Sequence, residues 1–316
     1  MTTTSNGSWG DNVDWFVEVS DMAKISFWLR IIAASLATLV LSAGLSGCSS
    51  IKFGYNQLPE ISSWWLDNYA NFNDKQAADT KAALKSLQSW HRKEELTPLA
   101  NLLVQTQGLA ARNITPEQAC DLWDQTEKRL DALATETARL ALPIVLQLTP
   151  RQMQHLEKKW REKNEDWKKT WIEPTAEERM KKRIKTTVER YSDFYGKLSD
   201  AQVKLLTQQL QQSKWSPELG LQMRIKRQQM QMQTLQDLIQ ANAKPDFSVA
   251  AAEKTLYNLM TMGMRPQDPL LMQQQSQLEK QACENFAQFH NSTTASQRQK
   301  AQRQLKSYET DLRDLI

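Results

Sequence analysis

Along most of the chain apolar residues recur three and four positions apart, as at Leu156, Trp160, Trp167 and Trp171, which fall on one side of a helix. No stretch of the later chain sustains the period-two alternation of Val, Ile and Thr that marks a strand. The breaks between periodic runs carry a repeated five-residue signal. It reads Phe72-Asn73-Asp74-Lys75-Gln76, Ile114-Thr115-Pro116-Glu117-Gln118, Leu148-Thr149-Pro150-Arg151-Gln152, Leu198-Ser199-Asp200-Ala201-Gln202 and, more loosely, Thr293-Thr294-Ala295-Ser296-Gln297. Each copy offers an Asn, Ser or Thr cap with Gln at the third helical position, the arrangement of a capping box. Pro116 and Pro150 sit at the first helical position, where the missing N–H costs nothing. Thr175 with Glu178, Ser216-Pro217 and Asp268-Pro269 supply further starts. Successive caps lie 42, 34, 50 and 95 residues apart, too irregular for a solenoid array.

These signals predict helices over 59–71, 74–96, 98–111, 116–147, 150–171, 176–196, 200–213, 217–242, 247–263, 269–291 and 295–314, with a kink at Pro143. The expected fold is all-α, an irregular multi-helix bundle of about nine to eleven capped helices with no β-sheet. Composition agrees, since 316 residues hold only 9 Gly and 10 Pro. No Gly-, Ser- or Pro-rich run divides residues 59–316, which are expected to form a single helical domain, with 213–217 as the place for a boundary if there are two.

The first fifty residues follow a different pattern. Within 22–48, Lys24 and Arg30 precede a short apolar run from Ile31 to Leu45, and small residues lead into Cys48. This is the layout of an export signal; about 15 apolar residues are few for crossing ~30 Å of hydrocarbon. The ending Leu45-Ser46-Gly47-Cys48 resembles the bacterial lipobox, which implies cleavage before Cys48 and a diacylglyceryl group on its sulfur. Residues 1–21 carry Asp11, Asp14, Glu18 and Asp21 and no Lys or Arg, so the expected true start is Met22, with 22–47 as signal peptide and 48–58 as a short lipidated tether. Ser49 in second place implies, by that resemblance, sorting to the outer membrane. Residues 1–47 hold two of the 40 basic and four of the 36 acidic residues, so the remainder carries about +6.

With Cys48 lipidated, Cys120 and Cys283 remain in an oxidising compartment, and the expectation is one disulfide between them, the alternative being two buried thiols. Closing so long a loop would stabilise by about 4 to 5 kcal/mol.

Candidate chemistry is sparse. The run Leu-Glu-Lys-Lys-Trp-Arg-Glu-Lys-Asn-Glu-Asp-Trp-Lys-Lys-Thr-Trp sets Trp160, Trp167 and Trp171 among Lys158, Lys159, Arg161, Lys163, Lys168 and Lys169, and Lys181, Lys182, Arg183 and Lys185 follow. Such a basic amphipathic surface can hold unfolded polypeptide or acidic headgroups. Glu157, Glu162, Glu165, Asp166, Glu177 and Glu178 dilute the charge, and the competing reading is a packed Trp stripe beneath a solvated face. On the first helix Trp64, Trp65, Tyr69 and Phe72 suit either core or a bilayer interface. The methionines at 223, 230, 232, 260, 262, 264 and 272 suit core filling better than copper, because no His or Cys adjoins them. His91 with Glu94 and Glu95 is the one base beside carboxylates, more simply read as surface ion pairs. Neither HExxH, GxSxG, a P-loop nor a Gly-rich dinucleotide turn occurs. The reading is therefore of a non-enzyme with no catalytic residues, metal, cofactor or nucleic-acid partner.

From Tyr55 onward the chain is similar to an uncharacterised proteobacterial lipoprotein family, domain of unknown function 6279. The resemblance rests on Tyr55-Asn56-Gln57-Leu58-Pro59, Trp64-Trp65-Leu66-Asp67, Trp90-His91-Arg92-Lys93-Glu94-Glu95-Leu96, the cap segment running into Cys120 and Leu122-Trp123, Asn285-Phe286 through Phe289-His290-Asn291, and Tyr308-Glu309 with Asp311-Leu312-Arg313. It implies a lipoprotein and assigns no functional residue. The Leu-Thr-x-x-Gln segments are also similar to the hallmark of Spy/CpxP-type periplasmic chaperones, helical cradles much shorter than this chain. The expected role is that of an outer-membrane-anchored periplasmic lipoprotein, bound to the membrane through its lipid and acting on other envelope proteins. Alternatives are a holdase or envelope-stress factor gripping unfolded polypeptide, and an enzyme centred on His91.

Overall fold

All five repeated segments start helices, because a capping box satisfies its orphan amides from residues three apart and needs no distant help. The computed structural model describes residues 50–266 and 269–316; Cys48, residues 1–47 and the Asp268 cap lie outside the described residues. Within them the chain forms α1 (Ser50–Ala70), α2 (Asp74–Glu94), α3 (Leu96–Ala110), α4 (Pro116–Val145), α5 (Pro150–Trp167), α6 (Ala176–Tyr195), α7 (Asp200–Gln212), α8 (Pro217–Ala241), α9 (Val249–Thr261), α10 (Pro269–Asn291) and α11 (Ala295–Arg313). No strand occurs among the described residues. Asn73, Thr115, Thr149, Ser199 and Thr294 open α2, α4, α5, α7 and α11, each with both reciprocal bonds of the box formed, and Thr175 with Glu178 does the same for α6. Ser216 caps α8 by accepting from the Leu219 amide.

Two expectations about the helices need correction. Residues 50–58, read as a tether, are already helical, and Pro59 lies inside α1 instead of starting it. A proline there cannot donate to the carbonyl four residues back, that of Tyr55. Gln88 of α2 fills the vacancy, its side-chain amide donating to the Tyr55 carbonyl, so the interruption is mended from the neighbouring helix. The second correction concerns Pro143, which falls in the last turn of α4, a helix ending at Val145. Asn71, at φ 49°, turns the chain out of α1, a left-handed position that Asn tolerates well.

The capping glutamines do more than cap. Gln76 and Gln152, both buried, face each other, and each side-chain amide donates to the other's Oε1 (3.3 and 2.7 Å). Gln76 also donates to the Gln147 carbonyl and Gln152 to the Asn71 carbonyl, in each case two residues before the partner's cap. Gln202 and Gln297 repeat the pattern, exchanging bonds of 2.9 and 3.0 Å while donating to the Ser292 and Lys197 carbonyls, again two residues before the partner's cap. Only an amide, with a donor and an acceptor on one group, can form such a reciprocal pair while still accepting from its own cap. Two helix starts are thus interlocked at each site, α2 with α5 and α7 with α11.

Apolar burial is divided into several small clusters. Ala138, Leu142, Leu238, Ala252 and Leu256 join α4, α8 and α9. Tyr195, Leu198, Leu206, Phe289 and Ala301 join α6, α7, α10 and α11. Ile114, Ala119, Cys283 and Ala287 join α4 to α10, while α11 lies along α3 and α1 against α2.

Candidate functional site

The basic, Trp-rich segment is the strongest sequence candidate for a binding surface. After Trp167 the helix loosens into a π-helical turn, Lys168–Ile172, which carries Trp171. Trp167 and Trp171 are each only 5% exposed, packed with Leu221 and the half-buried Trp215, Ile172 and Ile225. The three indoles sit edge to face or tilted at centroid separations of 6.2, 6.4 and 5.4 Å. Trp167 Nε1 donates to the Pro217 carbonyl at 3.0 Å. A Cβ at Gly220 would stand 3.2 Å from the Trp167 ring, so the glycine is what lets α8 close on it. Lys182 and Arg183 of α6 cover the rings of Trp171 and Trp215 at 4.6 and 4.7 Å.

Two residues of the expected client surface, Trp167 and Trp171, are therefore not on the outside. Trp167 and Trp171 face inward, because burying two indoles against α8 removes far more apolar surface from water than an exposed stripe could. Trp160 is half-buried on the same helix and Lys169 exposed. Lys158 and Lys159 both approach Glu162, at 3.9 and 3.8 Å, and Lys168 pairs with Glu165 at 2.7 Å. Four of the acids that diluted the charge in the sequence, Glu157, Glu162, Glu165 and Asp166, pair with bases of this segment in space, which leaves a solvated face above a packed indole cluster.

His91 does not gather its two carboxylates. Its Nδ1 lies 3.0 Å from the Tyr55 hydroxyl. Arg92 covers the Tyr55 ring and donates to Asn56 Oδ1 at 3.0 Å. Glu94 points to solvent beside Lys93 (3.4 Å), whereas Glu95, in the junction between α2 and α3, is buried 3.6 Å from Arg129 of α4. Desolvation raises the Glu95 carboxyl and lowers the His91 imidazole, in each case favouring the neutral form. The segment that looked like acid–base chemistry fastens α1 and α4 onto the end of α2.

The later stretches that carried the family resemblance are also junctions. Phe289 is fully buried, with Tyr191 and Tyr195 edge-on at 4.3 and 5.6 Å. His290 Nε2 lies 2.9 Å from the Arg112 carbonyl, which can only accept, so Nε2 carries the proton and Nδ1 accepts from the Tyr195 hydroxyl at 3.0 Å. Asn291 brackets Ile114, accepting from its N–H and donating to its carbonyl, both at 2.9 Å. Glu309 accepts from Arg313, Lys306 and Gln107, which hold its carboxyl down to about 2.

His290 gives a pH-dependent prediction. Desolvation lowers its pKa in the folded protein, so below its unfolded value of about 6.5 the unfolded chain takes up a proton that the folded one refuses. Its contribution is full above that pH and is lost as pH falls, by at most about 1.4 kcal/mol per pH unit. Urea unfolding at pH 7, 6 and 5 should show this decline, and His290→Gln should flatten it; an unchanged slope in the variant would exclude His290 as its source.

Cys120 of α4 and Cys283 of α10 form a disulfide, their Cα atoms 5.4 Å apart. Met260 lies against the α4–α8–α9 cluster, while Met230 and Met272 are exposed. No described helix is long and apolar enough to cross a membrane. The polar junctions could not be read as such from the sequence, because each joins residues dozens to hundreds of positions apart.

Residues 68–262 match the model of a family described as Family of unknown function (DUF6279). The stretches over 55–59, 64–67 and 285–313 lie outside that match. No curated protein and no solved structure matches.

Proposed function

The chain belongs to this family of unknown function, and from that premise we propose that it is an exported lipoprotein, held by acyl chains on Cys48 at the periplasmic face of the bacterial outer membrane and working through contacts with other envelope proteins, not through catalysis. The observation that carries the proposal is the Cys120–Cys283 bond. Such bonds persist in oxidising compartments and are rare where thiols are kept reduced, which supports export. It also leaves Cys48 as the one cysteine of the three outside that bond, at the end of an apolar leader. A thiol in that position suits thioether formation.

The interaction reading is favoured over a holdase because Trp167 and Trp171, the apolar grip that a holdase would need, are used inside the α5–α8 contact. It is favoured over an enzyme centred on His91 because that imidazole is occupied by Tyr55 and its carboxylates point elsewhere. Radiolabelled palmitate fed to cells should mark the wild-type protein and not Cys48→Ser, and envelope crosslinking of the wild type should capture protein partners that the unanchored variant loses. Equal labelling of both, or none of either, would overturn the anchor.

A further inference from the structure

Phe53 and Trp64 are the most exposed large apolar side chains among the described residues, at 69% and 61%, and both belong to α1. Eleven residues make three helical turns and leave an offset of about 20°, so the two rings stand on one side of α1, about 16 Å apart. Gln57 and Glu60 share that outward face, and Glu60 is neutralised by Lys81 at 2.7 Å. The opposite face holds Tyr55, Pro59, Trp65 and Tyr69, turned toward the body of the protein; Trp65 and Tyr69 lie tilted against each other at 4.7 Å. Lys52 pairs with Asp314, which fastens the start of α1 to the end of α11. The outward face is thus fixed relative to the rest of the fold.

We propose that α1 lies along a phospholipid surface, with Phe53 and Trp64 seated at headgroup level, so that the protein is held on its side against the bilayer instead of swinging on a tether. This inference rests on acylation of Cys48. The argument is one of reach: Ser50 is two positions after Cys48, at most about 7 Å away even when fully extended, and Phe53 is one helical turn further. An acylated Cys48 therefore brings Phe53 to the interface whatever path Ser49 takes. Trp64 reaches the same level only if the helix axis runs parallel to the membrane. Aromatic rings at both ends of an outward stripe, with uncharged or neutralised groups between them, match the preference of such rings for the headgroup zone.

The test uses full-length lipidated protein in vesicles of phosphatidylethanolamine and phosphatidylglycerol. With Cys48 acylated and the other two cysteines bonded, Gln57→Cys supplies the single thiol for a nitroxide, and Lys75→Cys, on α2, serves as the reference. Collisions with a polar nickel chelate should fall about threefold or more at position 57 on vesicle binding and stay unchanged at 75, and Phe53→Ser with Trp64→Ser should restore them. Equal accessibility at both positions in protein whose mass shows the acyl chains would overturn the inference while leaving the anchor intact. Protection at 57 that requires an added envelope protein would assign the face to that partner and overturn it likewise. A preparation whose mass shows no acyl chains would overturn the anchor itself, and the inference with it.

Discussion

Replacing Cys120 and Cys283 together by Ala is expected to lower the free energy of unfolding by about 4 to 5 kcal/mol and the melting temperature by roughly 10 °C. The two cysteines are 163 residues apart, so the bond removes a large part of the freedom of the unfolded chain. The native state contributes too, since Cys283 is buried among Ile114, Ala119 and Ala287 and truncation leaves part of that space empty. The bond also works beside the Asn291 bracket on Ile114, which ties the end of α10 to the α3–α4 loop. Without the disulfide, that bracket and the bonds of His290 are left to hold α10 there. Urea unfolding of the oxidised protein and the double variant measures the difference; a midpoint shift equivalent to less than about 1 kcal/mol would mean that the unfolded chain is held compact by something else.

How much of this was legible follows from how local each cause is. A capping box is written in four consecutive residues, so Asn73, Thr115, Thr149, Ser199 and Thr294 could all be read as helix starts without any knowledge of the fold. The disulfide was legible for a similar reason, because with one of the three cysteines set aside in a segment that resembles a lipobox, a single pair remains. The true extent of α1 was not, since Pro59 looks like a start signal and the compensation comes from Gln88, 29 positions away. Periodicity showed that Trp167 and Trp171 share a face, but it carries no information on what covers that face. The cover is α8, admitted by Gly220 and completed by Leu221 and Trp215. Likewise the i, i+3, i+4 spacing of His91, Glu94 and Glu95 would gather them only in an unbroken helix; α2 ends at Glu94, and Glu95 turns to Arg129.

The stretches that suggested kinship were read as markers of a family, and several of them are, in space, junctions between elements. Tyr55 meets Gln88, His91 and Arg92; His290 and Asn291 meet Tyr195, Arg112 and Ile114; Glu309 meets Gln107. Small apolar clusters leave much of the helix alignment to such polar contacts. A buried polar contact fixes geometry more sharply than an apolar one, because misalignment strands a donor or acceptor away from water.

Gln202→Leu is expected to destabilise the protein by about 3 to 5 kcal/mol, several times the ~1 kcal/mol of losing an isolated cap. The substitution deprives the Ser199 amide of its acceptor, the Ser292 carbonyl of its donor and the Gln297 side chain of both halves of its reciprocal bond. Gln118 is the matched control: it occupies the same place in the Thr115 box, and its removal should cost only about 1 kcal/mol. Gln202→Glu separates capping from pairing. A carboxylate can still accept from the Ser199 amide, as Glu178 does from Thr175 in its exposed box, but it would set negative oxygens against the Ser292 carbonyl and Gln297 Oε1. The glutamate variant should therefore lose nearly as much as the leucine variant at pH 7 and regain part of it as the buried carboxyl takes up a proton. In the double variant with Gln297→Leu the losses should fall short of additive by at least about 1 kcal/mol, because each substitution removes a group that the other would have orphaned. Equal losses for Gln118→Leu and Gln202→Leu would show that the second glutamine of each pair adds nothing, and that the helix starts are merely adjacent.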